Sequence, residues 1–162
     1  MRKIIDKYAN SADVSKVNYK QYEKQGGNMK KYLEIKNNWY AAADPSGIGH
    51  DENWWEAIPE SVVPAIVPGG TKLFLPEYSG KELWYYNKFT ADISRENGER
   101  YILRIGRALY YAEVWLNGEY LGGHTGGTRN FDFDVTDTFK TGQENMICIC
   151  VNTSQNLCQD NA

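Results

Sequence analysis

The sequence predicts an all-β fold, an antiparallel β-sandwich of jelly-roll type. Three observations carry that reading. Short runs alternate apolar and polar residues with a period of two; turn chemistry separates the runs; and no long stretch keeps the 3.6-residue period of an amphipathic helix. In Glu82–Asp92, Leu83, Tyr85, Asn87 and Phe89 face one way and Trp84, Tyr86 and Lys88 the other. Tyr101, Leu103 and Ile105 alternate with Ile102 and Arg104, and Ala112, Val114 and Leu116 with Glu113 and Trp115. Asn117-Gly118 follows, a pair suited to the positive φ that a type I′ hairpin turn needs at both positions. Tyr120-Leu121 begins the return strand. Phe131, Phe133 and Val135 then alternate with Asp132, Asp134 and Thr136, and Ile147, Ile149 and Val151 with Met146, Cys148 and Cys150. Turn signals lie between these runs at Glu96-Asn97-Gly98, at glycines 122, 123, 126 and 127, and at Thr141-Gly142-Gln143. Residues 37–76 are less regular. Asp44–Gly49 reads as a turn-rich loop, Asn53–Glu56 as a short helical turn, and four prolines (59, 64, 68 and 76) keep the rest extended, as a long aromatic-bearing loop wrapped on a sandwich.

Charge divides the chain. Residues 1–31 carry 8 Lys/Arg against 3 Asp/Glu, and the remainder 10 against 18. The first stretch ends in Gln25-Gly26-Gly27-Asn28, a linker composition. The expected organisation is a flexible or weakly helical N-terminal extension over 1–28, the sandwich over 29–153 and a C-terminal tail over 154–162. Deleting the extension is expected to shift the melting temperature by only a few degrees.

At 162 residues the chain suits one domain and is too short for a (β/α)8 barrel of roughly 250 residues. With 41% hydrophobic and 24% charged residues it reads as folded, not disordered. A net charge of −3 offers no basic field, so neither nucleic acid nor an anionic membrane surface is an expected partner. The longest apolar stretch, Val62–Val67, is broken by Pro64, so no membrane span is expected, and the basic start Met1–Lys7 lacks the apolar centre of a signal peptide. Three cysteines form no CxxC, and the two histidines, His50 and His124, are far apart, so neither a metal site nor a cofactor is expected. Cys148 and Cys150, two apart in one strand, are poorly placed to bridge; reduced thiols and a cytoplasmic location follow.

Several segments resemble the N-terminal domain of glycoside hydrolase family 2. Trp84–Phe89 resembles its WYxxxF strand and Val114–Gly118 its VWLNG hairpin. Gly122–Gly127 with Phe131–Thr136 resembles its G-x-H-x-GG … F-x-FDVT segment, and Gly142–Asn145 with Val151-Asn152 its G-x-EN … V-x-N segment. Upstream, Asp44-Pro45 through Trp55 and Val67-Pro68-Gly69 resemble the loop that leads into the family's VPG segment. The pieces occur in the family's order between Leu33 and Asn152. The family includes β-galactosidases, β-glucuronidases and β-mannosidases. The resemblance implies a galactose-binding-like jelly roll, followed in the parent enzyme by an immunoglobulin-like domain and a TIM barrel that holds two catalytic glutamates. The chain is thus expected to be the first domain alone, inactive by itself, with those downstream domains as its partners. Residues 153–162 are expected to stop short of the second domain and to depart from the family pattern.

No catalytic residue is assigned in this chain. Asp132 and Asp134 flank Phe133 on one face and read as solvated charges, and Glu113 and Glu119, around the hairpin, as cross-strand or solvent charges. There is no GxSxG, Cys148 and Cys150 lack a nearby histidine in sequence, and the glycines at 122–127 precede a strand and lack a P-loop lysine. The candidate carbohydrate-facing residues are Trp54, Trp55, Arg129 and Asn130. A tryptophan plane complements the C–H face of a pyranose, and the latter two can hydrogen-bond hydroxyls. The competing readings are that the tryptophans seal the loop over the sheet, which is favoured because Trp is highly buried on average, and that Arg129 pairs with Asp132 or Asp134. Trp84 and Trp115 read as packing residues and His124 as a turn residue. Asn117, Gly118, Gly126 and Gly127 read as structural turn residues. Two other functions remain open: a stand-alone carbohydrate-binding module, and a β-sandwich protein-interaction domain.

Overall fold

The computed structural model describes residues 20–25, 28–96 and 98–153. The chain divides into two units, Met1–Lys36 and Asn37–Ala162. In the first, β1 (Lys20–Gln25) pairs antiparallel with β2 (Asn28–Tyr32). This corrects the flexible or weakly helical reading for residues 20–25. The rest of that reading, residues 1–19 and 26–27, lies outside the described residues, as does the tail over 154–162.

The second unit holds eight strands among its described residues: β3 (Trp39–Asp44), β4 (Val63–Ala65), β5 (Glu82–Thr90), β6 (Ile102–Ile105), β7 (Tyr111–Leu116), β8 (Glu119–Thr125), β9 (Phe131–Asp134) and β10 (Glu144–Asn152). Six form one sheet in the order β4-β3-β5-β10-β7-β8, and β6 and β9 form a second. Every pairing is antiparallel. One short 3-10 turn, Thr71–Leu73, lies between β4 and β5. The fold is the expected β-sandwich.

Register decides which side chains share a layer, because alternate residues point to opposite faces. The inner face of the large sheet, toward β6 and β9, carries Ala41, Leu83, Ala112, Val114, Leu116, Ile147 and Val151, all buried. The two sheets meet where a Cβ on Gly122 would stand 3.0 Å from Phe133 and where His124 stacks on Phe131, ring centroids 4.2 Å apart. His124 is therefore a packing residue within β8, not a turn residue. Gly122 and Gly123, read as turn glycines, also lie inside β8, beside a register shift between Val114 and Trp115. The extra residue there is a β-bulge, which positive φ at Gly122 (139°) accommodates.

The outer face is also covered. Ala42, Trp84, Tyr86, Trp115, Cys148 and Cys150 cluster there beneath Trp54. Sheets buried on both faces lose their alternation, and β3, Trp-Tyr-Ala-Ala-Ala-Asp, shows the consequence. Its buried residues fall on both faces, so no period-two signal marks it in the sequence.

Candidate functional site

The outer layer is built by residues 45–62, which fold back over the large sheet. Their start is fastened by Asp44, which is almost wholly buried. Its Oδ1 accepts from the backbone N–H groups of Gly47 (2.7 Å) and Ile48 (3.0 Å), and its Oδ2 from that of Gly49 (2.7 Å) and from Trp84 Nε1 (3.3 Å). A buried carboxylate is stable only with such donors. Gly49 is required by space, since a Cβ there would stand 2.5 Å from Trp84 Nε1. The segment then runs through successive turns, with Glu52 N–H donating to Ile48 O and Trp54 N–H to Gly49 O.

These turns set Trp54 and Trp55 side by side over the sheet, in different roles. Trp54 is 8% exposed, edge-on to Trp84, and donates its Nε1–H to Glu52 at 2.8 Å. Its ring is occupied in packing, the sealing role favoured for it over the sugar-facing one. Trp55 is half-buried and lies flat on Trp115, with centroids 5.3 Å apart and planes inclined by 4°. It also borders an open groove of about 450 Å³ with Lys88, Asn117, Lys140, Glu144 and Met146. Asn117 is already engaged: its Nδ2 donates to Thr138 O and Asn145 Oδ1, and its Oδ1 accepts from Met146 N–H. Lys88 pairs with Glu144 at 3.2 Å.

Arg129 and Asn130 are exposed in the connection from β8 to β9. Asp132 takes a two-point contact from Arg104 (2.7 and 2.6 Å), and Asp134 bonds Arg100 and Thr136, so those arginines take the place proposed for Arg129. The four carbohydrate-facing candidates therefore occupy different regions: two in the loop over the large sheet, and two exposed in the connection from β8 to β9. The turn residues behave differently from one another. Asn117 and Gly118 have φ of 55° and 85°, and Gly126 has 130°. Gly127 answers to space instead, because a Cβ there would overlap Leu109 Cδ2.

The outer face also holds a polar cluster that sequence spacing concealed. His50 reaches down to the sheet, its Nε2 2.7 Å from Glu113 Oε2 and its Nδ1 3.5 Å from Glu82 Oε2. Its ring lies edge-on to Trp84 at 4.9 Å. Glu113, expected as a solvent or cross-strand charge, is thus held by His50 and by the hydroxyls of Tyr111 (3.3 Å) and Tyr120 (3.5 Å). Cys150 is the direct cross-strand partner of Glu113. Ligand atoms of His50, Glu113 and Cys150 lie within 4.8 Å of one another. The histidine that the cysteines lack nearby in sequence is thus supplied by the fold. Burial first, then the Glu82 and Glu113 carboxylates, push the Cys150 thiol up; burial does the same to Cys148. Both thiols are free.

With this geometry in view, comparison with known proteins defines the class. Residues 28–161 match the family described as "Glycosyl hydrolase 2 galactose-binding domain-like". The chain belongs to that family. The match extends through the tail, beyond Asn152, where the resemblance was expected to end. A β-glucuronidase of Paenibacillus borealis is 32% identical over 123 residues, covering 73% of this chain and 20% of that protein. A β-galactosidase of Thermoanaerobacter pseudethanolicus is 32% identical over 95 residues, covering 55% and 13%. The Ruminococcus gnavus β-glucuronidase structure shares the fold, with a TM-score of 0.63 at 23% identity over 73% of this chain and 20% of that one. The chain spans about a fifth of the length of the first of these relatives.

Proposed function

We propose that this chain acts as the non-catalytic N-terminal domain of a bacterial, cytoplasmic family 2 glycosidase that hydrolyses β-linked uronides or galactosides in carbohydrate metabolism. Its role is to support the immunoglobulin-like and barrel domains of the parent and to shape their cleft. One observation carries the reading: the family match covers 28–161, yet the chain spans only a fifth of a β-glucuronidase relative. The local chemistry agrees. Glycoside hydrolysis needs two carboxyls with open space between them for the glycosidic oxygen. Glu82 and Glu113 instead stand on the two nitrogens of one imidazole, which fills that space. The free thiols suit a reducing compartment. Nitrophenyl glucuronide, galactoside and mannoside should all survive incubation with the purified chain. Turnover that disappears in Glu82→Gln or Glu113→Gln would overturn the proposal.

The groove beside Trp55 favours a second reading, carbohydrate binding. It offers an aromatic plane, with Lys140 to meet an acidic sugar. Chemical-shift titration with glucuronate and galactose decides it. Shifts centred on Trp55 that are larger for glucuronate support binding there, and their absence leaves the supporting role alone.

A further inference from the structure

We propose that His50, Glu113 and Cys150 form a binding site for a zinc-class divalent cation, with Glu82 orienting the imidazole from behind. The donors come from three separate parts of the fold: the β3–β4 connection, β7 and β10. Glu113 and Cys150 are direct cross-strand partners, so the sheet itself sets their spacing, and His50 closes over them. Tetrahedral zinc, bound at about 2.0–2.3 Å, wants its donor atoms roughly 3.3–3.8 Å apart. The three donors lie within 4.8 Å of one another, so the widest pair closes by up to about 1 Å while the His50–Glu113 pair, 2.7 Å apart, opens by about 0.6 Å. His50 is the member best able to move, because it sits in a connection and is 39% exposed.

The second, independent observation is Glu82. Its Oε2 is buried without a hydrogen bond and faces His50 Nδ1, the nitrogen opposite the one that meets Glu113. A carboxylate behind one ring nitrogen, with the other nitrogen aimed at the ion, is how proteins fix the tautomer of a metal-binding histidine. Charge points the same way. Two carboxylates share one imidazole, and the buried carboxylate of Asp44 also bears on Cys150. A dication supplies the missing positive charge and stabilises the thiolate that the carboxylates otherwise oppose. The donor set of nitrogen, carboxylate oxygen and thiolate favours zinc or cobalt over magnesium or calcium.

Binding is a proton exchange. With the ion in place, His50 Nε2 and Glu113 Oε2 face it and the imidazole keeps its proton on Nδ1, toward Glu82. The Cys150 thiol loses its proton as the metal–sulfur bond forms. At least this one proton is therefore released per ion.

The test uses the full chain, freed of metal by a chelator and then titrated with Zn²⁺ or Co²⁺. The expected result is one ion per chain with release of at least one proton, that of Cys150. Cobalt should give tetrahedral d–d bands and a near-ultraviolet thiolate-to-cobalt transition, and zinc at about a hundredfold excess over Kd should raise Tm by about 5 °C or more. Cys150→Ser and His50→Gln should each abolish the thiolate band or the tetrahedral spectrum, and Glu82→Gln should weaken zinc about 10–100-fold. Cys148→Ser and Cys158→Ser should leave all readouts unchanged. His50→Gln alters a partly exposed side chain, so it remains informative if Cys150→Ser fails to fold, as judged by near-ultraviolet circular dichroism of the tryptophan cluster. A wild type without the thiolate band, a Cys150→Ser protein that binds as tightly as wild type, or a signal lost with Cys158 instead would overturn the proposal.

Discussion

Gly49 and Gly118 show two different reasons for the same residue type. Gly118 stands at φ 85° with nothing within 4 Å of where a Cβ would be, so conformation alone excludes other residues. Gly49 has no such φ, but a Cβ would press on Trp84, which is fully buried and cannot yield. The two should respond differently to substitution. Gly118→Val is expected to cost about 1–3 kcal/mol, the scale of strain for a β-branched residue in the left-handed region. Gly118→Asn, which tolerates that region, should cost much less. Gly49→Ala is expected to cost about 1–3 kcal/mol through overpacking and to disturb the near-ultraviolet signal of Trp84. Urea midpoints read all three. If Gly118→Asn were as damaging as Gly118→Val, the φ argument would be lost.

Among the elements, the β7–β8 hairpin is locked by more than its turn. Asn117 donates to Thr138 O (2.8 Å) and Asn145 Oδ1 (3.0 Å) and accepts from Met146 N–H (3.0 Å). Asn145, fully buried, in turn donates to Lys140 O and Gln143 O and accepts from Lys140 N–H. One asparagine pair thereby ties the hairpin to the connection before β10. Asn117→Gly keeps the turn conformation yet leaves these groups without partners, so it should destabilise by about 1–3 kcal/mol in denaturant melts. A neutral effect would mean that the turn alone matters. The sequence pattern showed the turn and not the lock, because the partners are 21 to 29 residues away. The same limit explains the other differences. Strands β5, β7, β9 and β10 were legible because bulky residues alternate along them, whereas alanine-rich β3, buried on both faces, carries no such pattern. The tryptophan pair was recognised, but only the fold distinguishes Trp54, packed edge-on, from Trp55 beside a groove. His50 and Glu113 stand 63 residues apart, and topology alone brings them together.

At the scale of the whole molecule, a single sheet serves two layers: an inner one against β6 and β9, and an outer one under residues 45–62 that holds aromatic rings and free thiols. That outer layer predicts how the domain responds to alkali. Burial pushes the Cys148 and Cys150 thiols and the Tyr86 hydroxyl up. Tyr78 and Tyr111 are each pushed up to about 12, mainly by burial as well. In the unfolded chain cysteine ionises near pH 8.5 and tyrosine near pH 10, so roughly above those values unfolding releases protons that the folded state retains. The unfolded state then binds fewer protons, and stability must fall as pH rises. The contribution is fully present below about pH 8.5, begins to decline there as cysteines ionise in the unfolded chain, and declines more steeply above about pH 10 as tyrosines join. Urea midpoints measured with a chelator present, so that no metal displaces the thiol proton, should trace this two-stage fall. Replacing both buried cysteines by serine should remove the first stage and spare the second. Constant stability from about pH 8 to about pH 11 would mean that these groups are open to solvent, and that the layer over the sheet is not closed.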